Sequence, residues 1–415
     1  MRILWVKAGK LLPVDTGGKI RSFNILRHLA RGHDLTLLSY CGGKKHPSYE
    51  TEIQREFPGA IVLWTAALDG NVFSQSVDYL RRVLDSAPFA VGKFTHPAVR
   101  QKLRDFLSGE AFDVAVCDFL SASLNFPGFP RTPTVLFQHN FETALWRRMA
   151  STESNWLRRA AYRLEAAKMA HYEPRALKKF HHVIAVSGKD RQLMLEAAPA
   201  CAITVVATGV DTQKYALAPP ASATPPRLVF LGSMDWEPNI DAVIYFCQEI
   251  FPAVRNRFPS ALFQIVGRNP HPSVKRLASD HVQVTGTVPS IEQFVRDATL
   301  VVVPLRIGGG TRLKIFEAMA MGRAVVSSSI GAEGLEVQRG RDLILADDPA
   351  SFAEAVCLLI RDPQLRQSCE RAAAKLAAQY DWSRIAEQFA GVLQQIARER
   401  ASEPVLPHAG ISAQS

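Results

Sequence analysis

Apolar positions along this chain follow two alternating patterns. Short runs rich in Val, Ile, Leu and Phe are separated by longer stretches in which apolar residues recur with the spacing of a helix face. The runs in the first half predict strands at 2–6, 35–39, 61–65, 114–117, 134–137 and 183–186. Those in the second half predict strands at 227–231, 262–266, 282–285, 299–303, 324–328 and 343–345. Strands that alternate with helices are typical of parallel α/β sheets.

A Pro- and Ala-rich break at 216–226 interrupts this alternation and indicates a linker or a surface loop between two units. A chain of 415 residues is also longer than most domains that fold around one hydrophobic core. We therefore predict an α/β fold of two Rossmann-like, doubly wound domains, at 1–215 and 216–380, that face each other across a ligand-binding cleft. A helix at 381–400 is predicted to cross back to the first domain, and the tail at 401–415 to be disordered.

Composition narrows the class of protein. The net charge of +10 favours an anionic partner such as a nucleotide, a phospholipid surface or nucleic acid. No apolar run is long enough to span a bilayer, and the apolar stretch at residues 3–6 is too short for a signal peptide, so we expect a cytoplasmic protein. The six cysteines are scattered without a Cys-x-x-Cys pair, which predicts buried thiols and neither disulfides nor a metal site.

Much of the positive charge is concentrated in residues 147–179, which carry an excess of six positive charges. Large apolar and aromatic side chains are interleaved with the basic ones: Trp146, Trp156, Leu157, Tyr162 and Leu164. This mixture is typical of helices that lie in the interface of an anionic membrane. A solvated basic helix has the same composition, so peripheral contact of 146–180 with the inner face of a membrane stays open.

The segment 300–322 has the pattern of a strand, a glycine-rich loop and a helix. Three consecutive glycines at 308–310 let backbone N–H groups approach a ligand, Thr311 is suited to cap the helix, and Gly322 to end it. Free amides at a helix N-terminus bind anions, and Arg312 and Lys314 add full positive charge in the first turn. Because cations there oppose the helix dipole, a function that needs positive charge explains them best.

A plain loop with basic surface residues is the structural alternative for this segment. It lacks the Gly-x-Gly-x-x-Gly dinucleotide fingerprint, and Lys314 lacks the context of a Walker loop. Glu317 lies further along the same helix between apolar residues, and a carboxylate in such surroundings needs hydrogen-bond donors. The two hydroxyls of a ribose are suitable donors, so Glu317 is a candidate nucleotide-binding residue.

Four residues outside this segment are further candidates. Gly17 and Gly18 open a predicted helix, where the first βα loop would approach a diphosphate, or they form an ordinary tight turn. His139 follows the strand at 134–137 on its carboxyl side, where cleft residues belong, and is otherwise a structural histidine. Arg268 follows the strand at 262–266 in the same way, and is otherwise a surface charge.

Five sequence blocks then appear in the order found in one known family. Between residues 232 and 336 the chain resembles the donor domain of retaining glycosyltransferases of family 4, which have the GT-B fold. The blocks are Gly-Ser-Met-Asp-Trp-Glu-Pro-Asn at 232–239, Ile-Val-Gly-Arg-Asn-Pro at 265–270, Val-Thr-Gly-Thr-Val at 284–288, the segment 304–322, and Gly-Ala-Glu-Gly-Leu at 331–335. In the first half the likeness is looser and rests on residues 16–18, 29–34 and 138–142.

The resemblance implies a nucleotide diphosphate sugar bound in the C-terminal domain, an acceptor bound mainly by the N-terminal domain, and metal-independent transfer with retained configuration. From these arguments and the resemblance together, the candidate donor-binding residues are Gly17, Gly18, Ser233, Arg268, Val288, Gly309, Gly310, Thr311 and Glu317, and the candidate catalytic residues are His139, Lys314 and Arg312. In the family's Glu-x7-Glu motif the second acid binds the ribose, and Glu317 matches it. The first acid is missing, because that position is Gly309.

A second departure concerns charge. The family often has an Arg and a Lys that neutralise the diphosphate, and the matching positions here are Ser233 and Asn239. We therefore expect Arg312 and Lys314, foremost Lys314, to supply that charge, with Arg268 as the next candidate. Two negative charges in a partly desolvated cleft need such compensation.

Together these features predict an enzyme that transfers a hexosyl unit to a glycan or lipid-linked acceptor in envelope or exopolysaccharide synthesis. No cofactor, metal or nucleic-acid partner is predicted. Two alternatives stay open. One is a degenerate relative that binds nucleotide sugars or a partner without transfer, and the other is a nucleotide-sugar epimerase.

Overall fold

The computed structural model describes residues 1–65, 78–79, 81–109, 111–217, 225–308 and 313–402. Two parallel sheets, of seven and six strands, form the centres of two α/β domains. The predicted linker falls largely, and the predicted tail almost wholly, outside the described residues. No helix in the described ranges is long and apolar enough to cross a membrane.

The first sheet has the strand order β3-β2-β1-β4-β5-β6-β7. Its strands are β1 (Arg2–Ala8), β2 (Asp34–Gly42), β3 (Ile61–Thr65), β4 (Val114–Asp118), β5 (Thr134–Gln138), β6 (His182–Ala185) and β7 (Ile203–Val205). Helices α1 (Gly17–Leu29), α2 (Pro47–Glu56), α3 (Phe89–Gly92), α4 (Pro97–Ser108), α5 (Glu142–Thr152), α6 (Trp156–Leu177) and α7 (Gly188–Ala197) connect them. Apart from the edge strands β3 and β7, which are partly buried, the strands are largely buried and apolar because helices cover both faces of a parallel sheet.

The second sheet has the order β10-β9-β8-β11-β12-β13. Its strands are β8 (Arg227–Leu231), β9 (Leu262–Val266), β10 (Val282–Gly286), β11 (Leu300–Val303), β12 (Val325–Ser327) and β13 (Ile344–Leu345). Helices α8 (Glu237–Tyr245), α9 (Phe251–Arg257), α10 (Pro272–Lys275), α11 (Glu292–Asp297), α12 (Leu313–Ala320), α13 (Pro349–Arg361) and α14 (Pro363–Ala377) surround it. Helix α12 begins directly after the predicted glycine loop, and its apolar side chains are buried.

The last helix, α15 (Trp382–Ser402), lies against the first domain although it follows the second along the chain. Its Trp382 and Phe389 belong to the same buried cluster as Trp5 of β1, and the Phe389 ring centroid lies 5.5 Å from that of Trp5. Gly209 packs under Trp382, where a Cβ would come within 2.5 Å of the indole ring. The helix therefore ties the end of the chain to the N-terminal core.

Every strand segment predicted from the sequence overlaps a strand of the structure, and the doubly wound fold is confirmed. Strand β7 was missed because its three residues are too few to form a pattern. The cysteines are all free thiols, but the prediction that they are buried holds for four of them, since Cys201 and Cys247 are only partly buried.

Candidate active site

The carboxyl edges of the two sheets face each other across a cleft of about 1300 Å³. The chain order reverses between β1 and β4 in the first sheet and between β8 and β11 in the second, and such points are where ligands bind in doubly wound folds. The structure brings eight of the sequence-predicted site residues into this cleft: Gly17, Gly18, His139, Ser233, Arg268, Val288, Lys314 and Glu317. Gly309, Gly310, Thr311 and Arg312 lie outside the described residues.

A buried carboxylate organises the N-terminal wall of the cleft. Asp118, the last residue of β4, accepts hydrogen bonds from Lys7 Nζ at 2.8 Å and from Trp5 Nε1 at 3.2 Å. His139 Nε2 donates to its other oxygen at 2.9 Å. Burial alone would raise the pKa of Asp118, but the charge of Lys7 and the His139 hydrogen bond outweigh it and hold the pKa well below its usual range. Asp118 is therefore ionised.

His139 is fixed by partners on both ring nitrogens. Arg21 donates from Nη1 to His139 Nδ1 at 2.9 Å, and its Nε donates to Thr208 Oγ1 at 2.8 Å. Because Arg21 can only donate and the carboxylate of Asp118 can only accept, the ring carries its proton on Nε2. Burial, with the nearby charge of Arg21, lowers the pKa of His139 to about 3. The ring is neutral at physiological pH and, although it lines the cleft, it is almost completely buried.

The backbone around Phe119 explains why Gly18 is a glycine. Phe119 has a φ of 74°, in the left-handed region, and its ring stacks on His139 with centroids 3.6 Å apart. A Cβ on Gly18 would come within 2.4 Å of this ring. Gly17 faces the opposite domain, where a Cβ would lie 3.3 Å from Leu313 Cδ1. Both glycines permit close packing at the N-terminus of α1, which Thr16 caps.

On the C-terminal wall, Arg268 connects the two domains. Its Nε donates to Ser233 Oγ at 2.8 Å, and its Nη1 forms an ion pair of 2.5 Å with Asp15 of the N-terminal domain. Arg268 is therefore a cleft residue and not a surface charge. Ser233 itself lies in the turn after β8, where it also donates to Asp235.

Lys314 lies beside Asn239, and both line the cleft on the side of the C-terminal domain. Its Nζ donates to Asn239 Oδ1 at 2.8 Å and sits 4.0 Å from the centroid of the Phe230 ring. Asn239 in turn donates to the carbonyl of Ser233 at 2.9 Å. Gly232 leaves the space that this arrangement needs, because a Cβ there would come within 3.0 Å of both Asn239 and Lys314 Nζ.

Glu317 lies one turn further along α12 and lines the cleft. Tyr215, near the end of the N-terminal domain, donates to Glu317 Oε1 at 3.2 Å. Burial raises the pKa of Glu317, while Tyr215, Lys214 and Lys314 favour its ionised form. Among the described residues, Tyr215 is the hydrogen-bond donor to this carboxylate, which therefore keeps acceptor capacity toward the cleft.

Sequence reasoning missed several of these residues. Asp118, Arg21, Tyr215 and Lys7 act through partners that are distant along the chain, so no local spacing reveals them. Asp118 had one usable signal, since it directly follows the predicted strand 114–117 and the carboxyl ends of neighbouring strands share one edge. The described residues contain no group of His, Cys, Asp and Glu with the arrangement of a metal site.

The two facing sheets, with a ligand cleft between their carboxyl edges, define a protein of the GT-B class. Residues 225–362 match the family model described as glycosyl transferases group 1, and residues 17–214 match that of glycosyltransferase family 4. The chain belongs to the group 1 glycosyltransferases.

Similar proteins include phosphatidyl-myo-inositol mannosyltransferase from Mycobacterium leprae, which is 29% identical over 52% of this chain and 59% of that protein. The matched region thus spans less than two thirds of that relative's length. Among solved structures, sucrose-phosphate synthase from Thermosynechococcus elongatus has a TM-score of 0.71 and 14% identity over 96% of this chain and 100% of that one. Anabaena HepE in complex with UDP-glucose has a TM-score of 0.66 and 15% identity over 95% of this chain and 100% of that one. Both support the GT-B fold.

Proposed function

We propose that this protein transfers a hexosyl unit from a nucleotide diphosphate sugar to a glycan or lipid-linked acceptor, without a metal and with retained anomeric configuration. One observation carries the proposal. Two cations and a carboxylate, Arg268, Lys314 and Glu317, line one cleft at the carboxyl edge of the second sheet. That set matches a diphosphate flanked by a ribose, and Anabaena HepE, which shares the fold, was crystallised with UDP-glucose.

The two cations stand next to the positions where the family often has its own. Arg268 donates to Ser233, and Lys314 donates to Asn239. Ser233 and Asn239 are the residues that replace the family's Arg and Lys. We infer that Arg268 and Lys314 supply the missing charge from neighbouring elements. Arg312, the other sequence candidate, stays a prediction because it lies outside the described residues.

In this mechanism the leaving diphosphate gains charge as the glycosidic bond lengthens, and groups already aimed at it stabilise the transition state most. Lys314 is held by Asn239, so it needs little rearrangement at that moment. Glu317 takes the ribose hydroxyls. His139, neutral and fixed by Asp118 and Arg21, shapes the wall against which the transferred sugar lies.

Aromatic and basic side chains in both walls of the cleft support a sugar or a phosphate-bearing acceptor. Trp236 lines the cleft with 47% of its surface exposed, which suits stacking on a sugar ring. Lys10 lies in the N-terminal wall over the rings of Tyr49 and Trp64, and its Nζ is 5.6 Å and 5.4 Å from their centroids.

The names of relatives also bear on the acceptor. Two groups of relatives are named as phosphatidyl-myo-inositol mannosyltransferases and D-inositol 3-phosphate glycosyltransferases. Another is a protein of the cps region of Klebsiella pneumoniae, which supports a role in envelope or exopolysaccharide synthesis.

A membrane location at the inner face is proposed from helix α6. Trp156, Leu157 and Leu164 are exposed there by 73%, 59% and 40%, beside the basic residues of the same helix. Trp146 and Tyr162, which the sequence grouped with them, instead pack on each other with ring centroids 5.9 Å apart. The apolar part of the proposed membrane face is therefore smaller than its sequence suggests.

A thermal-shift panel of nucleoside diphosphate sugars tests the proposal. A donor at about 100 times its dissociation constant should add roughly 2.7 kcal/mol of stability, and purified protein with that donor should slowly release the nucleotide. Stabilisation without hydrolysis or transfer would favour the degenerate binding protein. Conversion of the donor sugar into its epimer would favour the epimerase. No stabilisation by any member of the panel would overturn the proposal.

A further inference from the structure

Arg148, on helix α5 of the N-terminal domain, contacts two loops of the C-terminal domain at once. Its guanidinium pairs with both carboxylate oxygens of Glu333, at 2.5 Å and 2.8 Å. The same Nη1 donates to the carbonyl of Gly308, the residue immediately before positions 309–312. A two-pronged guanidinium–carboxylate pair fixes orientation as well as distance.

Both C-terminal partners belong to the donor side of the cleft. Gly308 lines the cleft after β11, and Glu333 lies in the turn after β12. The two segments pack together, because Ser328 Oγ donates to the carbonyl of Leu305 at 2.5 Å and accepts from the backbone N–H of Gly331 at 2.9 Å. A Cβ on Gly331 would lie 2.7 Å from the carbonyl oxygen of Val303, so only a glycine permits this close packing. Arg148 therefore contacts two loops that already pack against each other.

The N-terminal end of this connection is also fixed. Glu173 accepts hydrogen bonds from the backbone N–H groups of Glu142 and Thr143, both at 2.8 Å, at the first turn of α5. That turn follows His139 by three residues, and at about 1.5 Å per residue the helix places Arg148 roughly 9 Å beyond it. Helix α5 thus connects the part of the N-terminal domain that contains His139 with the Gly308 and Glu333 positions of the C-terminal domain.

We propose that Arg148 is a positioning residue for donor binding, which it favours by holding Gly308 and the Glu333 turn against the N-terminal wall of the cleft. The inference rests on the proposed function for its ligand, a nucleotide diphosphate sugar. With the pair formed, Gly308 and the Glu333 turn are held against the N-terminal wall. Without it these two positions lose their tie to the N-terminal domain, and part of the free energy of donor binding is used to bring them back into place. The pKa of Arg148 is raised, chiefly by its hydrogen bonds to Glu333, which agrees with a strong pair.

The neighbouring Arg147 offers a matched control. It lies on the same helix, is exposed, and makes no hydrogen bond or ion pair with any residue in the described parts of the chain. Arg147→Met and Arg148→Met remove the same charge and the same side-chain length. Any difference between them reports the contacts of Arg148 and not the net charge of the helix.

The first measurement is steady-state kinetics of Arg148→Met, Glu333→Gln and the double variant. We expect the donor KM to rise about tenfold, the change that a loss of roughly 1.4 kcal/mol produces, while kcat and the acceptor KM change little. The double variant should be no worse than Arg148→Met, because both changes break one contact. A purely structural role would lower the melting temperature and the active fraction, hence kcat, and leave the donor KM alone. Arg148→Lys keeps the positive charge but cannot form the two-pronged pair, so its donor KM should lie between those of wild type and Arg148→Met.

The second measurement needs no donor and so separates this inference from the proposed function. Hydrogen exchange of the ligand-free protein should be faster in residues 328–336 of Arg148→Met than of wild type, because the Glu333 turn loses its tie. Arg147→Met should match wild type. Equal exchange in the two arginine variants, or additive kinetic effects of the Arg148 and Glu333 changes, would overturn the inference. Failure of wild type to bind any nucleotide sugar would instead remove the proposed function.

Discussion

Lys314 Nζ lies 2.8 Å from Asn239 Oδ1, so the helix after the glycine loop and the helix after β8 meet at one ammonium group. The contact places the ammonium group of Lys314 beside position 239, where this chain has an amide and not a basic side chain. The uncharged amide of Asn239 orients the ammonium group of Lys314 without neutralising its charge. The ring of Phe230 also contacts this ammonium group. The proposal that Lys314 supplies positive charge to the donor diphosphate rests on this placement.

Replacement of Lys314 by alanine should therefore lower both kcat and donor affinity. An oriented charge on a leaving group is worth most in the transition state, and removal of one such group typically lowers kcat by about 10²-fold. The measurement is transfer kinetics with varied donor. Arg306→Ala is the control, since Arg306 belongs to the same loop region but pairs with Asp241 at the surface. Wild-type kinetics in Lys314→Ala would assign the charge to Arg268 or to Arg312.

Replacement of Glu317 by alanine should weaken donor binding with the fold intact. The loss should be about 1.5 to 3 kcal/mol, the range for hydrogen bonds to a charged group. Tyr215→Phe, which removes the protein's own donor to Glu317, should change donor affinity less. Calorimetric titration of folded variants measures both, and Glu354→Ala, in an exposed pair with Arg257, is the control. An unchanged affinity in Glu317→Ala would exclude it from the nucleotide site.

Replacement of Asp118 by asparagine should destabilise the protein by about 3 to 5 kcal/mol, because it leaves the buried ammonium of Lys7 without its counter-charge. Asp113→Asn is the matched control. Asp113 lies just before the same strand and pairs with Arg2 at the surface, so its replacement should cost about 1 kcal/mol or less. Denaturant unfolding of both variants measures the difference, and equal losses would contradict the role given to the buried pair.

The pH dependence of stability should follow His139. Its pKa is lowered to about 3 in the folded protein, against about 6.5 in an unfolded chain. The unfolded state therefore binds the proton first, and the stability that neutral His139 contributes is present above about pH 6.5 and is lost as the pH falls toward 3. Between about pH 7 and pH 5 wild type should lose more unfolding free energy than His139→Gln. Parallel curves for the two proteins would show that the ring titrates normally.

The sequence predicts those parts of this molecule that depend on local pattern. Strand periodicity located both sheets, and the pattern of strand, glycine loop and helix at 300–322 marked Lys314 and Glu317 as candidate ligand-binding residues. Interactions between distant segments were not predictable in this way. The pair of Arg148 with Glu333 spans 185 positions, and that of His139 with Arg21 spans 118. Such pairs follow from how distant segments pack within and between the domains, which no single segment encodes.

The proposed membrane face can be tested with the exposed end of helix α6. Trp156 and Leu157 are its most exposed apolar residues, and Arg163 and Leu164 follow them by seven positions, which returns to the same face of the helix. Apolar side chains that enter the headgroup region and basic side chains that meet anionic lipids contribute separately to such binding, at about 1 kcal/mol per basic residue near the surface. Wild type should co-sediment with vesicles that contain anionic lipid, less so with added salt, and only weakly with neutral vesicles.

The Trp156→Ser/Leu157→Ser variant should bind anionic vesicles about tenfold more weakly than wild type, because it loses the apolar contribution of both side chains but no charge. Arg163→Gln should chiefly reduce the salt dependence, because it removes one electrostatic contact and leaves the apolar ones in place. Phe129→Asn is the control, since Phe129 is exposed by 63% yet lies outside helix α6, against His181. Co-sedimentation that is equal for neutral and anionic vesicles would reject the electrostatic part of the proposal. Binding by the double variant that equals that of Phe129→Asn would reject helix α6 as the membrane face.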